Sequence, residues 1–79
     1  MSEAQTLTSS ALERLCRAVG KDWGEKYARE ALHQLGLREL STPDDLLRFA
    51  NYLCAKGGVV EAVGRALRVS ALLLGARDV

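Results

Sequence analysis

Aromatic residues are scarce in this chain of 79 residues: Trp23, Tyr27, Phe49 and Tyr52 are all it has, while Leu, Ala and Val make up most of the apolar share. That mix favours helices over strands, which draw on β-branched and aromatic side chains. Cysteine occurs twice, as Cys16 and Cys54, too few for a disulfide framework and too far apart for a metal knuckle. A reduced, cytoplasmic chain is the expectation. Histidine occurs once. His33 has no Cys or carboxylate at ligand spacing and falls off the apolar stripe of its segment, so neither a metal site nor a general base is expected there. No nucleophile motif or glycine elbow supports hydrolysis either, so no catalytic residue, metal, cofactor or small-molecule substrate is expected.

Charge of one sign is equally thin. The formal net charge is +1. Positions 1–45 carry six basic and eight acidic residues, and positions 46–79 carry five and two, a tilt too slight to announce a polyanion partner. Long apolar runs are missing as well. Val69–Ala76 is the longest mainly apolar stretch without a charge, eight residues against the ~20 that a spanning helix needs. The N-terminal MSEAQTLTSS has neither a basic patch nor an apolar segment of the kind that marks a signal peptide. Neither a sequence repeat nor a low-complexity stretch stands out.

What is present is helix punctuation, four times over. In SALERLCRAVG, Ser10 caps and Glu13 answers it, Leu12, Leu15, Cys16 and Val19 share one face, and Gly20 stops the helix. In DWGEKYAREALHQLGL, Asp22 and Glu25 repeat the capping pair, with Tyr27, Ala28, Ala31, Leu32 and Leu35 as the stripe. Gly36 with Leu37 reads as a left-handed cap and its hydrophobic clasp. The third start is the strongest: Thr42 as cap, Pro43 in the first turn, and Asp44 and Asp45 beside the positive end of the dipole. Leu46, Phe49, Ala50, Leu53 and Cys54 face inward from it. The expected fold is all-α, a compact four-helix bundle-like domain with short loops, helices at about 10–19, 23–35, 43–56 and 59–74, and loose tails at 1–8 and 76–79.

The stretch AKGGVVEAVGRAL tests for a phosphate loop and fails. Such a loop follows a strand and ends in Lys followed by Ser or Thr, whereas a helix precedes this one and Val59, Val60 and Glu61 follow the glycines. Gly57 and Gly58 are therefore a turn between helices.

The fourth helix is the informative one because its polar face is narrow: Glu61, Arg65 and Arg68 fall at i, i+4 and i+7, and almost everything else is apolar. Ala62, Ala66 and Ser70 form a ridge of small side chains that would let another helix approach closely. Three neighbouring helices cannot easily cover so wide an apolar surface, so part of it is expected at a subunit interface. The expectation is a protein–protein interaction module of adaptor, regulatory or assembly type, self-associating as a homodimer. Val63, Leu67, Leu72 and Leu73 would supply area, Ala62, Ala66 and Ser70 the close approach, and Arg65 and Arg68 the rim. Trp23, at the start of the second helix, either staples that end to the bundle or, exposed, serves as a hot spot for a partner. Cys16 and Cys54 read as small buried hydrophobes rather than a redox pair.

The rival expectation is DNA binding, with the third and fourth helices as helix-turn-helix and Arg65 and Arg68 outward. Against it, the base-reading end would be Val59, Val60, Glu61 and Ala62, which are poor partners for groove edges. An interfacial membrane helix would want more Lys or Arg and a bulky aromatic at the boundary.

Overall fold

The computed structural model describes residues 3–76 and consists of four α-helices, α1 (Glu3–Val19), α2 (Lys21–Leu35), α3 (Pro43–Cys54) and α4 (Gly58–Leu73), with no strand among the described residues. Each helix packs on the next and α4 returns to α1, while α2 and α4 do not touch. The result is one four-helix domain of 28 × 26 × 21 Å. Its core takes Leu7, Ala11 and Leu15 from α1, Ala28 and Ala31 from α2, Phe49, Ala50 and Leu53 from α3, and Val60, Leu67 and Ala71 from α4. Leu40, in the loop between α2 and α3, closes one end.

The helix boundaries differ from the punctuation in instructive ways. The stretch 1–8, expected as a loose tail, is helical from Glu3 onward, and Ser10 lies inside α1 instead of capping it. The reason is tertiary. Leu7, Ala11 and Leu15 fall at i, i+4 and i+8 and are all buried, so the helix gains apolar burial by extending one turn and more beyond the local start signal. Thr8 adds a fastening, its hydroxyl accepting the Leu40 backbone N–H at 2.8 Å. The inward stripe of α1 is thus Leu7–Ala11–Leu15, and Leu12, Cys16 and Val19 are only half-buried at its edges.

Between α1 and α2 the chain turns on Gly20 alone, at φ 94° and ψ 160°, so α2 starts at Lys21 and Asp22 sits in its first turn rather than capping it. A side chain at that φ would be strained, which is why the reversal falls on a glycine. Gly57 and Gly58 (φ 76° and 62°) serve the same purpose between α3 and α4. The other expected terminators stand where the sequence puts them. Gly36 and Leu37 close α2 by donating to His33 and Leu32 carbonyls. Thr42 Oγ1 accepts the Asp45 N–H at 3.2 Å, and the Asp45 carboxylate reaches back to the Ser41 N–H at 3.1 Å. At the far end Ala76, expected in a loose tail, is buried, its N–H bonded to the Ala71 carbonyl at 2.9 Å, while 77–79 lie outside the described residues.

Two buried glycines set how closely the helices approach. A Cβ added at Gly24 of α2 would stand 2.5 Å from the Cys16 sulfur and 2.8 Å from its Cα. One added at Gly64 of α4 would stand 2.8 Å from both the Ala50 carbonyl oxygen and the Cys54 nitrogen. In each case the obstacle includes backbone, so the helices pack at a separation that only glycine permits. Cys16 and Cys54, expected as inward hydrophobes, are half-buried free thiols beneath those glycines.

Candidate functional site

The direction in which α4 faces decides which of its apolar residues remain available. Val60, Val63, Gly64, Leu67 and Ala71 point into the core, with Val63 at 9% and Leu67 at 2% exposure. These two residues, expected to supply interface area, are therefore spent inside the fold, because Gly64 draws this side of the helix against α3. A second apolar line runs along the outward side: Val59, Ala62, Ala66, Val69 and Leu73, at successive spacings of three, four, three and four. All five are exposed, Leu73 to 83% and Val69 to 58%. Glu61, Arg65, Arg68 and Leu72 occupy the remaining side, Leu72 at 39% exposure. Val59, Val69 and Leu74 join the surface although the sequence stripe did not single them out. The alternating spacing of 59, 62, 66, 69 and 73 was the available signal, and a glycine in mid-helix at 64 marked the opposite side as the one in close contact.

Of the small ridge, Ala62 and Ala66 are exposed, and Ser70 is partly covered by α1, where its hydroxyl accepts Arg14 Nη1 at 3.0 Å. That contact lies on the groove between α1 and α4. Two open clefts lie along this groove, about 430 Å³ around Ala18, Val59, Ala62 and Ala66, and about 310 Å³ around Leu7, Ser70, Leu73 and Leu74. Arg14 lines both and Arg17 the first, and among the described residues no carboxylate lines either. Arg17 is paired with Glu13, and Arg65 reaches Glu61 at 3.7 Å.

Trp23 is not part of this surface, since neither cleft takes a residue from α2. Its indole is 55% exposed, stacked obliquely on Tyr27 at 5.9 Å and carrying the Lys26 ammonium 4.9 Å from the ring centre. It therefore leans on its own helix and does not staple α2 to the bundle. His33 is exposed in the last turn of α2.

A third cleft of about 350 Å³ opens between α1 and α2 above Leu40 and Phe49, with Glu25 and Arg29 both at its rim. Between α2 and α3, Glu30 Oε1 accepts from Lys56 Nζ and from the Tyr52 hydroxyl, each at 2.9 Å. The hydrogen bond from Lys56, then that from Tyr52, hold the Glu30 carboxyl below its usual range, and the same carboxylate raises Lys56. This is a surface clasp between helices.

Among the described residues, no cluster of His, Cys, Asp and Glu could hold a metal ion, and no helix is long and apolar enough to cross a membrane. No protein-family model matches the chain, and no curated protein or solved structure does so either. Geometry and chemistry alone therefore carry the functional argument.

Proposed function

We propose that this protein is a small helical protein–protein interaction module, of adaptor, regulatory or assembly type, whose contact surface is the outward side of α4 with the α1–α4 groove beside it. The role is binding, with no chemical step. One observation carries the reading: α4 has two apolar sides, and its own fold covers only one of them. Val59, Ala62, Ala66, Val69 and Leu73 repeat with the alternating three and four of a helix-pairing seam. Leu73, 83% exposed, offers a partner about 1.5–3 kcal/mol on full burial. Two free thiols, Cys16 and Cys54, suit a reducing, cytoplasmic setting.

Self-association through this side is one form of this reading, and sedimentation equilibrium over a range of concentrations measures it. A homodimer dissolved by Leu73→Glu supports it. A monomer at every concentration removes the homodimer and leaves a different protein as occupant. Duplex DNA at low salt is the control for the rival expectation: binding weakened by Arg65→Ala with Arg68→Ala would replace this proposal.

A further inference from the structure

We infer that the α1–α4 groove receives an amphipathic helix of another protein, with apolar side chains seven or eight residues apart and a carboxylate between them that meets Arg14. The inference rests on the interaction-module reading and names its partner by chemistry. Three observations support it.

The first is charge. Among the described residues the charged groups that line the two clefts are arginines, Arg14 in both and Arg17, already paired with Glu13, in one. The cleft between α1 and α2, by contrast, is balanced by Glu25 and Arg29. Arg14 stands where the two groove clefts meet, and the partner of its guanidinium there is a neutral hydroxyl, that of Ser70. A carboxylate is the stronger acceptor for a guanidinium and can engage it through two parallel hydrogen bonds.

The second is spacing. One cleft centres on α4 near Ala62 and the other near Ser70, eight residues on, which is about 12 Å along the helix at 1.5 Å per residue. Residues i and i+7 or i+8 of a docked helix span the same distance on one face, with i+4 between them over Arg14.

The third observation weighs against a second copy as occupant. Its α1 would bring Arg14 against Arg14, and the carboxylates it offers beside the groove, Glu13 and Glu61, are already engaged by Arg17 and Arg65. Like charges facing each other across a contact disfavour that pairing.

The test uses the full chain and a labelled synthetic helical peptide with Leu at i and i+7 and Glu at i+4, beside a second peptide carrying Lys at i+4. Fluorescence anisotropy measures affinity, and amide chemical shifts locate the contact. The Glu peptide is expected to bind more tightly than the Lys peptide by about tenfold or more, with shifts confined to α1 and α4. Arg14→Glu, at an exposed position, should reverse that preference while the circular dichroism stays unchanged. Equal binding of the two peptides, shifts centred on the Phe49 cleft, or no binding at millimolar peptide would each overturn the inference. So would displacement of the peptide by duplex DNA whose binding is indifferent to Leu73→Glu. Sedimentation of the chain alone separates the two levels of the argument. A homodimer dissolved by Leu73→Glu keeps the interface and overturns the acidic occupant, whereas a monomer that binds neither peptide overturns the acidic occupant and the homodimer and leaves the interaction-module reading to a partner of other chemistry.

Discussion

The two helical hairpins, α1–α2 and α3–α4, are built to one plan and finished differently. In each, the first helix carries a buried Leu followed by a half-buried Cys at the edge of its inward stripe, Leu15–Cys16 and Leu53–Cys54. A buried glycine on the second helix, Gly24 or Gly64, then lies against that cysteine, and a fully buried alanine follows seven residues later, Ala31 or Ala71. A terminal glycine with an apolar clasp closes the second helix, Gly36 with Leu37 and Gly75 with Ala76. The outward sides part company. That of α2 carries Lys21, Asp22, Lys26, Arg29, His33 and Gln34 with Trp23 as its one large exposed apolar residue, whereas that of α4 carries Val59, Ala62, Ala66, Val69 and Leu73 beside Arg65 and Arg68. Helix–helix packing asks the same of both hairpins, so the contrast between the outward sides is what the proposed contact surface on α4 would account for.

The largest effects should come from the core the hairpins share. Leu15→Ala and Leu67→Ala, one in each hairpin and both at full burial, should each lower stability by about 2–5 kcal/mol. Both should leave a single unfolding transition by circular dichroism; a hairpin that survives the loss of the other would show that the two are separate units. Next come the close approaches. Gly24→Ala and Gly64→Ala should each destabilise by about 1–3 kcal/mol in chemical denaturation, although alanine is the better helix former by roughly 1 kcal/mol. A gain in stability at either position would mean that its helix pair has room the glycine does not need. Ala66→Trp sharpens the contrast between inner and outer sides of α4: on the exposed side it should shift folding stability by no more than about 0.5 kcal/mol while abolishing association. If it unfolds the chain, Ala66 is internal and the proposed surface is misplaced.

The smallest effect concerns the clasp between hairpins. Glu30 has its pKa lowered in the fold, so the stability it contributes is present above the ordinary carboxylate pKa and is lost as pH falls through the lowered value. Lys56 is raised, so its share is present below the ordinary lysine pKa and is lost as pH rises through the raised value. Glu30→Gln should remove the acid-side loss from a pH series of thermal melts and, because the same carboxylate raises Lys56, most of the alkaline-side loss as well. Because the pair is exposed, the change should be small.

Most of the fold was legible in the chain, because Thr42–Pro43, Gly20, Gly36 and Gly57–Gly58 are local signals read by local backbone. The early start of α1 was not, since Leu7 becomes a core residue only when the rest of the fold covers it. The proposed contact surface was half legible. Periodicity revealed that α4 is apolar on two sides but gave Val63 and Leu67 the same standing as Val69 and Leu73, and only the packing of Gly64 on α3 separates them.

The cysteines under Gly24 and Gly64 give each hairpin a chemical clock. The Cys16 and Cys54 sulfurs are half-buried, so a thiol-specific reagent should label each one faster when α2 lifts from α1 or α4 lifts from α3. The rise of each labelling rate with added denaturant therefore reports the separate opening of each pair. A ligand seated along α4 would slow the second clock more than the first.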